Sequence, residues 1–100
     1  SQVELNPNRP MLGIQMEQGD DSTSISGVIK DSPAENGGLE VGDVLIKVDD
    51  VEISRPIDVI AAVSRKQAGD EIVVEVQRDG ETLSKKIMLT RKADLNVPRE

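Results

Sequence analysis

The chain has no histidine, no cysteine and no aromatic residue. Each absence removes a class of function. Without His or Cys, neither Ser-His nor Cys-His catalysis can be assembled within it. The common Cys/His zinc sites are excluded on the same ground, as are haem and iron-sulfur ligation by His or Cys. No disulfide can form, so cysteine usage says nothing of compartment. Without Phe, Tyr or Trp there is no platform for base stacking. The core must be packed from Val, Ile, Leu, Met and Ala alone. Positive charge is also scarce: 12 Lys and Arg stand against 19 Asp and Glu, a net charge of −7. The basic residues are scattered, whereas nucleic acid or an anionic membrane surface calls for a basic patch. No apolar run approaches the roughly 20 residues that cross a bilayer. No signal or transit segment is visible, and an opening on Ser1 rather than Met reads as a processed or excised piece.

What is present fits one domain. The chain has 100 residues, 36% of them hydrophobic, enough for one modest core. The prolines and asparagines of residues 1–9 read as an extended lead-in, and residues 93–100 as a tail. The domain is expected over residues 10–92. Within it, residues 12–16 alternate apolar and polar, the pattern of a half-buried strand. Residues 25–30 form a second strand. Ser32-Pro33-Ala34-Glu35 opens a short helix, with Ser32 as N-cap and Pro33 at the first helical position. Residues 44–48 are the most apolar strand, with Ile46 taken as a core residue. Residues 56–66 are the best helix, with Ser54 as candidate N-cap. Two runs flank Arg78-Asp79-Gly80-Glu81, and Asp-Gly between alternating runs is a strong hairpin signal. Helices and strands do not alternate regularly. The fold class is therefore α+β, a small, partly open antiparallel β-barrel or sandwich of five to six strands capped by two helices.

The residues that could carry chemistry mostly have plainer explanations. Asp20-Asp21 and Asp49-Asp50 could hold calcium, but neither opens an EF-hand loop, and both fall where turns are expected. Ser22, Ser24 and Ser26 lie in or beside a polar loop, and no S-x-x-K motif accompanies them. The glycines match no phosphate-binding pattern. The remaining candidate is a groove. Gly13 permits unusual backbone angles and close approach, so a loop there could aim amide N–H groups at an anion. The strand after it could lie beside the 56–66 helix, where Pro56, Ile60 and Val63 share a stripe and Ile57, Val59 and Ala62 lie on adjoining ones. Spacing alone does not separate groove from core, and by periodicity alone every one of these aliphatics reads as core.

Taken together, these segments resemble a PDZ domain of the bacterial HtrA-protease type. Met11-Leu12-Gly13-Ile14 resembles the family's carboxylate-binding loop. Residues 32–39, Ser-Pro-Ala-Glu-Asn-Gly-Gly-Leu, resemble its S-P-A-x-x-x-G-L helix. Residues 42–49 resemble G-D-x-I-x-x-V-N, and residues 69–80 its G-x-x-V-x-V-x-V-x-R-D-G ending. Val59-Ile60-Ala61-Ala62-Val63 matches the groove helix. The resemblance covers residues 10–92 and has the bacterial permuted strand order, with the groove strand first.

The resemblance implies a non-catalytic module that captures protein C-termini by β-augmentation. It implies a carboxylate loop of Met11, Leu12, Gly13 and Ile14, and a groove of Gln15, Met16, Pro56, Ile60 and Val63. Arg9 is the candidate for steadying the carboxylate. Neither metal nor cofactor is implied. The expected partners are C-terminal or extended peptides with an apolar last residue, and the protease domain of the parent chain. The expected setting is a bacterial periplasm or cell envelope, in an HtrA-like serine protease. The alternative hosts are site-2-type proteases, C-terminal processing proteases and secretion or assembly components. Pro56 stands where many eukaryotic scaffold relatives carry His, so selection of Ser or Thr two residues before the peptide end is not expected.

Overall fold

The structure is a computed structural model that describes residues 9–17, 19 and 22–91. The lead-in 1–8, the Asp20-Asp21 pair and the 93–100 tail lie outside the described residues. The elements run β1 (Pro10–Met11), β2 (Ile14–Met16), β3 (Ile25–Val28), α1 (Pro33–Asn36), β4 (Val44–Val48), β5 (Val51–Glu52), α2 (Pro56–Ser64), β6 (Glu71–Arg78), β7 (Glu81–Met88) and β8 (Thr90–Arg91).

Local chemistry accounts for most of these boundaries. Ser32 caps α1, its hydroxyl accepting from the Glu35 N–H at 3.3 Å, and Pro33 begins the helix where a missing N–H costs nothing. Pro56 likewise opens α2. The cap there is not Ser54, as the sequence suggested, but sits at Arg55. The Asp58 carboxylate reaches back to accept from the Ser54 and Arg55 N–H groups at 2.8 and 2.9 Å. Those two bonds hold the Asp58 carboxyl below its ordinary pKa. The helix ends at Ser64, so Arg65 and Lys66 follow it rather than belong to it. The β6–β7 hairpin turns on Asp79 and Gly80, both with positive φ, as a tight two-residue hairpin turn requires.

The strands pair antiparallel in three groups: β5-β4-β6-β7, β2-β3 and β1-β8. A bridge between Ser24 and Val44 joins the second group to the first, with the Leu45 N–H donating to Thr23 O and the Ile25 N–H to Asp43 O. The sheets thus wrap one core, the expected α+β class. Among the described residues there are eight strands rather than five or six. The additional ones, β1, β5 and β8, are two residues each, too short to show a hydrophobic period.

The core is aliphatic throughout. It is centred on Ile25, Leu45, Val48, Ile72, Val74, Val76 and Ile87, with Val59, Ala62 and Val63 of α2 packed over it. On β4 it is Leu45, fully buried, that faces inward, while Ile46 is only half-buried. That corrects the reading of Ile46 as core. The run Val44-Leu45-Ile46 is apolar on both faces and gives no phase. The ladder with β6 also slips between Leu45 and Lys47.

Two polar knots hold the loops. Asp43, 1% exposed, receives the Arg78 guanidinium in a two-pronged bond, Nε to Oδ1 and Nη2 to Oδ2, both at 2.8 Å. Arg78 also donates to Gly38 O at 2.8 Å, and Asp43 accepts from the Glu40 N–H at 2.9 Å. Arg78 holds the Asp43 carboxyl below its usual pKa, although burial opposes the shift. The Asp49-Asp50 pair is a turn. Asp49 has φ 52°, accepts from the Val73 N–H at 2.9 Å and pairs with Lys66 at 2.9 Å. Burial pushes Asp49 up, but the Val73 amide and Lys66 outweigh it, and the net shift is downward. Among the described residues no cluster of acidic side chains is arranged to hold a metal ion.

Candidate functional site

The geometry of the 11–14 segment follows from where its carbonyls go. Leu12 O accepts from the Ala34 N–H of α1 at 2.9 Å, and Gly13 O accepts from the Ile29 N–H at 2.9 Å. All peptide bonds in the described residues are trans, so the N–H of each plane points opposite to its carbonyl. The Gly13 and Ile14 amides are therefore turned away from α1 and β3. The ladder gives the same answer. Ile14 pairs with Val28, and the bond flanking that pair runs from the Ile29 N–H to Gly13 O. In an antiparallel ladder this leaves the N–H and C=O of Ile14 itself on the opposite edge. Among the described residues, β2 pairs with β3 alone.

Glycine at position 13 is required twice over. Its φ is 91°, in the region that disfavours side chains, and a Cβ there would lie 2.3 Å from the Cβ of Ser32.

Beside this edge lies a cleft of about 390 Å³, lined by residues 9–14 on one wall and by Val59, Ile60, Val63 and Ser64 on the other. It is mainly apolar because two helical rows of α2 behave differently. Val59, Ala62 and Val63 are buried on the core, whereas Ile60 is 62% exposed on the cleft side. Leu12 is buried and forms the floor, with Ile14 half-buried beside it. Arg9 stands at the mouth, its guanidinium resting on the Met11 sulfur at 3.7 Å. A larger recess of about 450 Å³ lies between α1 and β7, but Asp31, Glu71 and Lys86 stand on its walls, so it offers an apolar side chain less than the first.

Seven of the residues picked from the sequence are thus brought together around one cleft: Arg9, Met11, Leu12, Gly13, Ile14, Ile60 and Val63. Gln15, Met16 and Pro56 do not line it. Gln15 lays its amide over Gly27 on β3, and Met16 packs against the core. Pro56 sits at the far end of α2. Sequence reasoning missed Pro10, Val59 and Ser64 as lining residues. Val59 was one of the aliphatics that spacing could not divide between groove and core, and it serves both. Ser64 carried no signal, and its hydroxyl is spent on Ala61 O at 3.1 Å.

Residues 10–89 match the sequence profile of the PDZ domain. A probable CtpA-like serine protease of Staphylococcus haemolyticus is 30% identical over 77 residues, which is 76% of this chain and 16% of that protein. The zinc metalloprotease RasP of Shouchella clausii is 33% identical over 84 residues, 81% of this chain and 19% of that one. The chain thus spans less than a fifth of the length of these relatives. Among solved structures, the HtrA-type protease AlgW with a decapeptide superposes with a TM-score of 0.75 at 24% identity, over 92% of this chain and 31% of that one.

Proposed function

The chain belongs to the PDZ domain family, and from that premise we propose that it captures protein C-termini by taking them up as an extra antiparallel strand beside β2. One observation carries the reading: among the described residues β2 pairs on one side only, and its other side, with the Gly13 and Ile14 amides, borders the apolar cleft against α2. A terminal carboxylate accepts from those amides and from Leu12 beside them. Such charge-assisted bonds are stronger than neutral ones. Arg9 steadies the carboxylate from the cleft mouth.

The last side chain of the ligand enters the space between Leu12, Ile14, Ile60 and Val63. Burying it contributes about 1.5–3 kcal/mol. Upstream ligand residues run antiparallel to β2 past Gln15 and Met16 towards the Pro56 end of α2. The expected affinity is micromolar, about −8 kcal/mol.

By itself the chain binds and does not catalyse, since no nucleophile has a His or Cys partner in its sequence. We place it as the recognition or regulatory module of a larger envelope protease of HtrA type. The likeness to a CtpA-like protease and to RasP favours a second reading of the host, a C-terminal processing or intramembrane protease. The capture mechanism is the same in either. Fluorescence polarisation with a library of labelled peptides ending in apolar residues tests it. Free-acid peptides bind and their C-terminal amides bind at least about tenfold more weakly; equal binding of the two forms refutes the carboxylate mechanism.

A further inference from the structure

We propose that Ser32 is a positioning residue for the carboxylate loop, fixing the direction in which the Gly13 and Ile14 amides point. The proposal deepens the peptide-capture reading and rests on it.

Ser32 does not itself line the cleft and is fully buried, yet two contacts of its side chain and one from its helix tie it to the loop. Its Cβ lies against the Cα of Gly13, so close that a side chain on Gly13 would collide with it. Its hydroxyl donates to Gly13 O at 3.4 Å while accepting from the Glu35 N–H at 3.3 Å. Two residues on, the Ala34 N–H holds Leu12 O at 2.9 Å. The 3.4 Å bond is long and contributes little by itself. The packing sets the position. A serine is the smallest residue that both caps α1 and supports the loop from beneath, and the loop's planes rest on that turn with their N–H groups facing outward. A larger side chain at 32 would lift the Gly13 peptide and rotate the two amides away from a common point, without altering the apolar walls. Recognition of the carboxylate would then fail while the groove still held the ligand's apolar side chain.

The test is the ratio of affinities for one peptide as free acid and as C-terminal amide, measured on the wild type, Ser32→Val and Ser32→Ala. The ratio comes from a single preparation of each protein, so a partly unfolded fraction cancels. Ser32→Val is expected to cut the wild-type ratio at least about fivefold, chiefly by weakening the acid, with binding of the amide nearly unchanged. Ser32→Ala keeps the packing but loses the long bond to Gly13 O together with the cap on the Glu35 N–H, and is expected to cut the ratio about twofold. A purely structural role would weaken acid and amide equally, so an unchanged ratio in Ser32→Val overturns the proposal. If that variant does not fold, Ser32→Thr, which keeps the hydroxyl and adds a methyl group beside Gly13, is measured in its place, and an unchanged ratio there overturns the proposal. A wild type that does not distinguish acid from amide removes the capture reading itself, and this proposal with it.

Discussion

The two apolar rows of α2 make a sharp prediction, because one supports the fold and the other serves the cleft. Ile60 is 62% exposed. Full burial of such a side chain is worth roughly 1.5–3 kcal/mol, so Ile60 contributes at most about 1 kcal/mol to folding. A lysine there keeps its aliphatic stem on the same surface and its ammonium in water. Ile60→Lys should therefore cost less than about 1 kcal/mol of stability. Ligand binding is another matter. The ligand's last side chain is proposed to pack on Ile60, and a cation on that wall must be desolvated as the chain docks. A loss of about 1.4 kcal/mol or more, tenfold in Kd, is expected. Leu45→Ala is the control. Leu45 is fully buried in the core and makes no part of the cleft. Its truncation should cost about 2–5 kcal/mol and leave the affinity of the remaining folded protein unchanged. With no Trp or Tyr in the chain, unfolding is followed by far-ultraviolet circular dichroism in urea and binding by a labelled peptide. The reasoning fails if Ile60→Lys unfolds as readily as Leu45→Ala, or if it binds the free-acid peptide as well as the wild type does.

Acid should weaken the fold in a specific way. Asp43 and Asp49 are both held below the ordinary value of 3.8, so the unfolded chain takes up protons first; their contribution is complete above about pH 4 to 5 and is lost as pH falls through the folded-state values. Thermal melts from pH 7 to 2 should show this fall, and Asp43→Asn should both lower the melting temperature at pH 7 and flatten the fall; an equally steep acid limb in that variant would show that Asp43 is not its source. Ligand length should matter little. β2 has three residues, about 10 Å at 3.3 Å per residue, and its ladder slips between Gln15 and Met16. A peptide of four residues should therefore bind within about threefold of a ten-residue peptide with the same ending. A loss beyond about tenfold in the polarisation assay would mean that the ligand pairs well past Met16.

Much of this was legible in the residues. Gly13 signals an unusual backbone angle, and its φ of 91° bears that out, while Ser32-Pro33 spells out the start of α1. Asp79-Gly80 marks its own hairpin. What was hidden depends on partners distant in sequence. Asp43 and Arg78 are 35 residues apart and meet only once β4 and β6 have paired. The clasp of β1 on β8 joins the two ends of the domain, and neither segment has a periodicity to reveal it. On α2 the helical period correctly gives the rows but is silent on which row is buried in the core and which is exposed on the cleft, because both need aliphatic residues.

The same contrast explains how the domain can keep a strand edge open. An unpaired edge is a template for pairing with other chains and for aggregation. Here the edge on β2 is three residues long, ends at a register slip, and borders a cleft lined by the exposed Ile60 and buried Val63 of α2. Only a segment that brings both an apolar side chain and a partner for the Gly13 and Ile14 amides satisfies every group at once. A chain terminus supplies that partner with its own carboxylate, whereas an internal segment has only neutral carbonyls to offer the same amides. Selectivity for ends over middles is thus proposed to follow from the bonds that the Gly13 and Ile14 amides make to a terminal carboxylate.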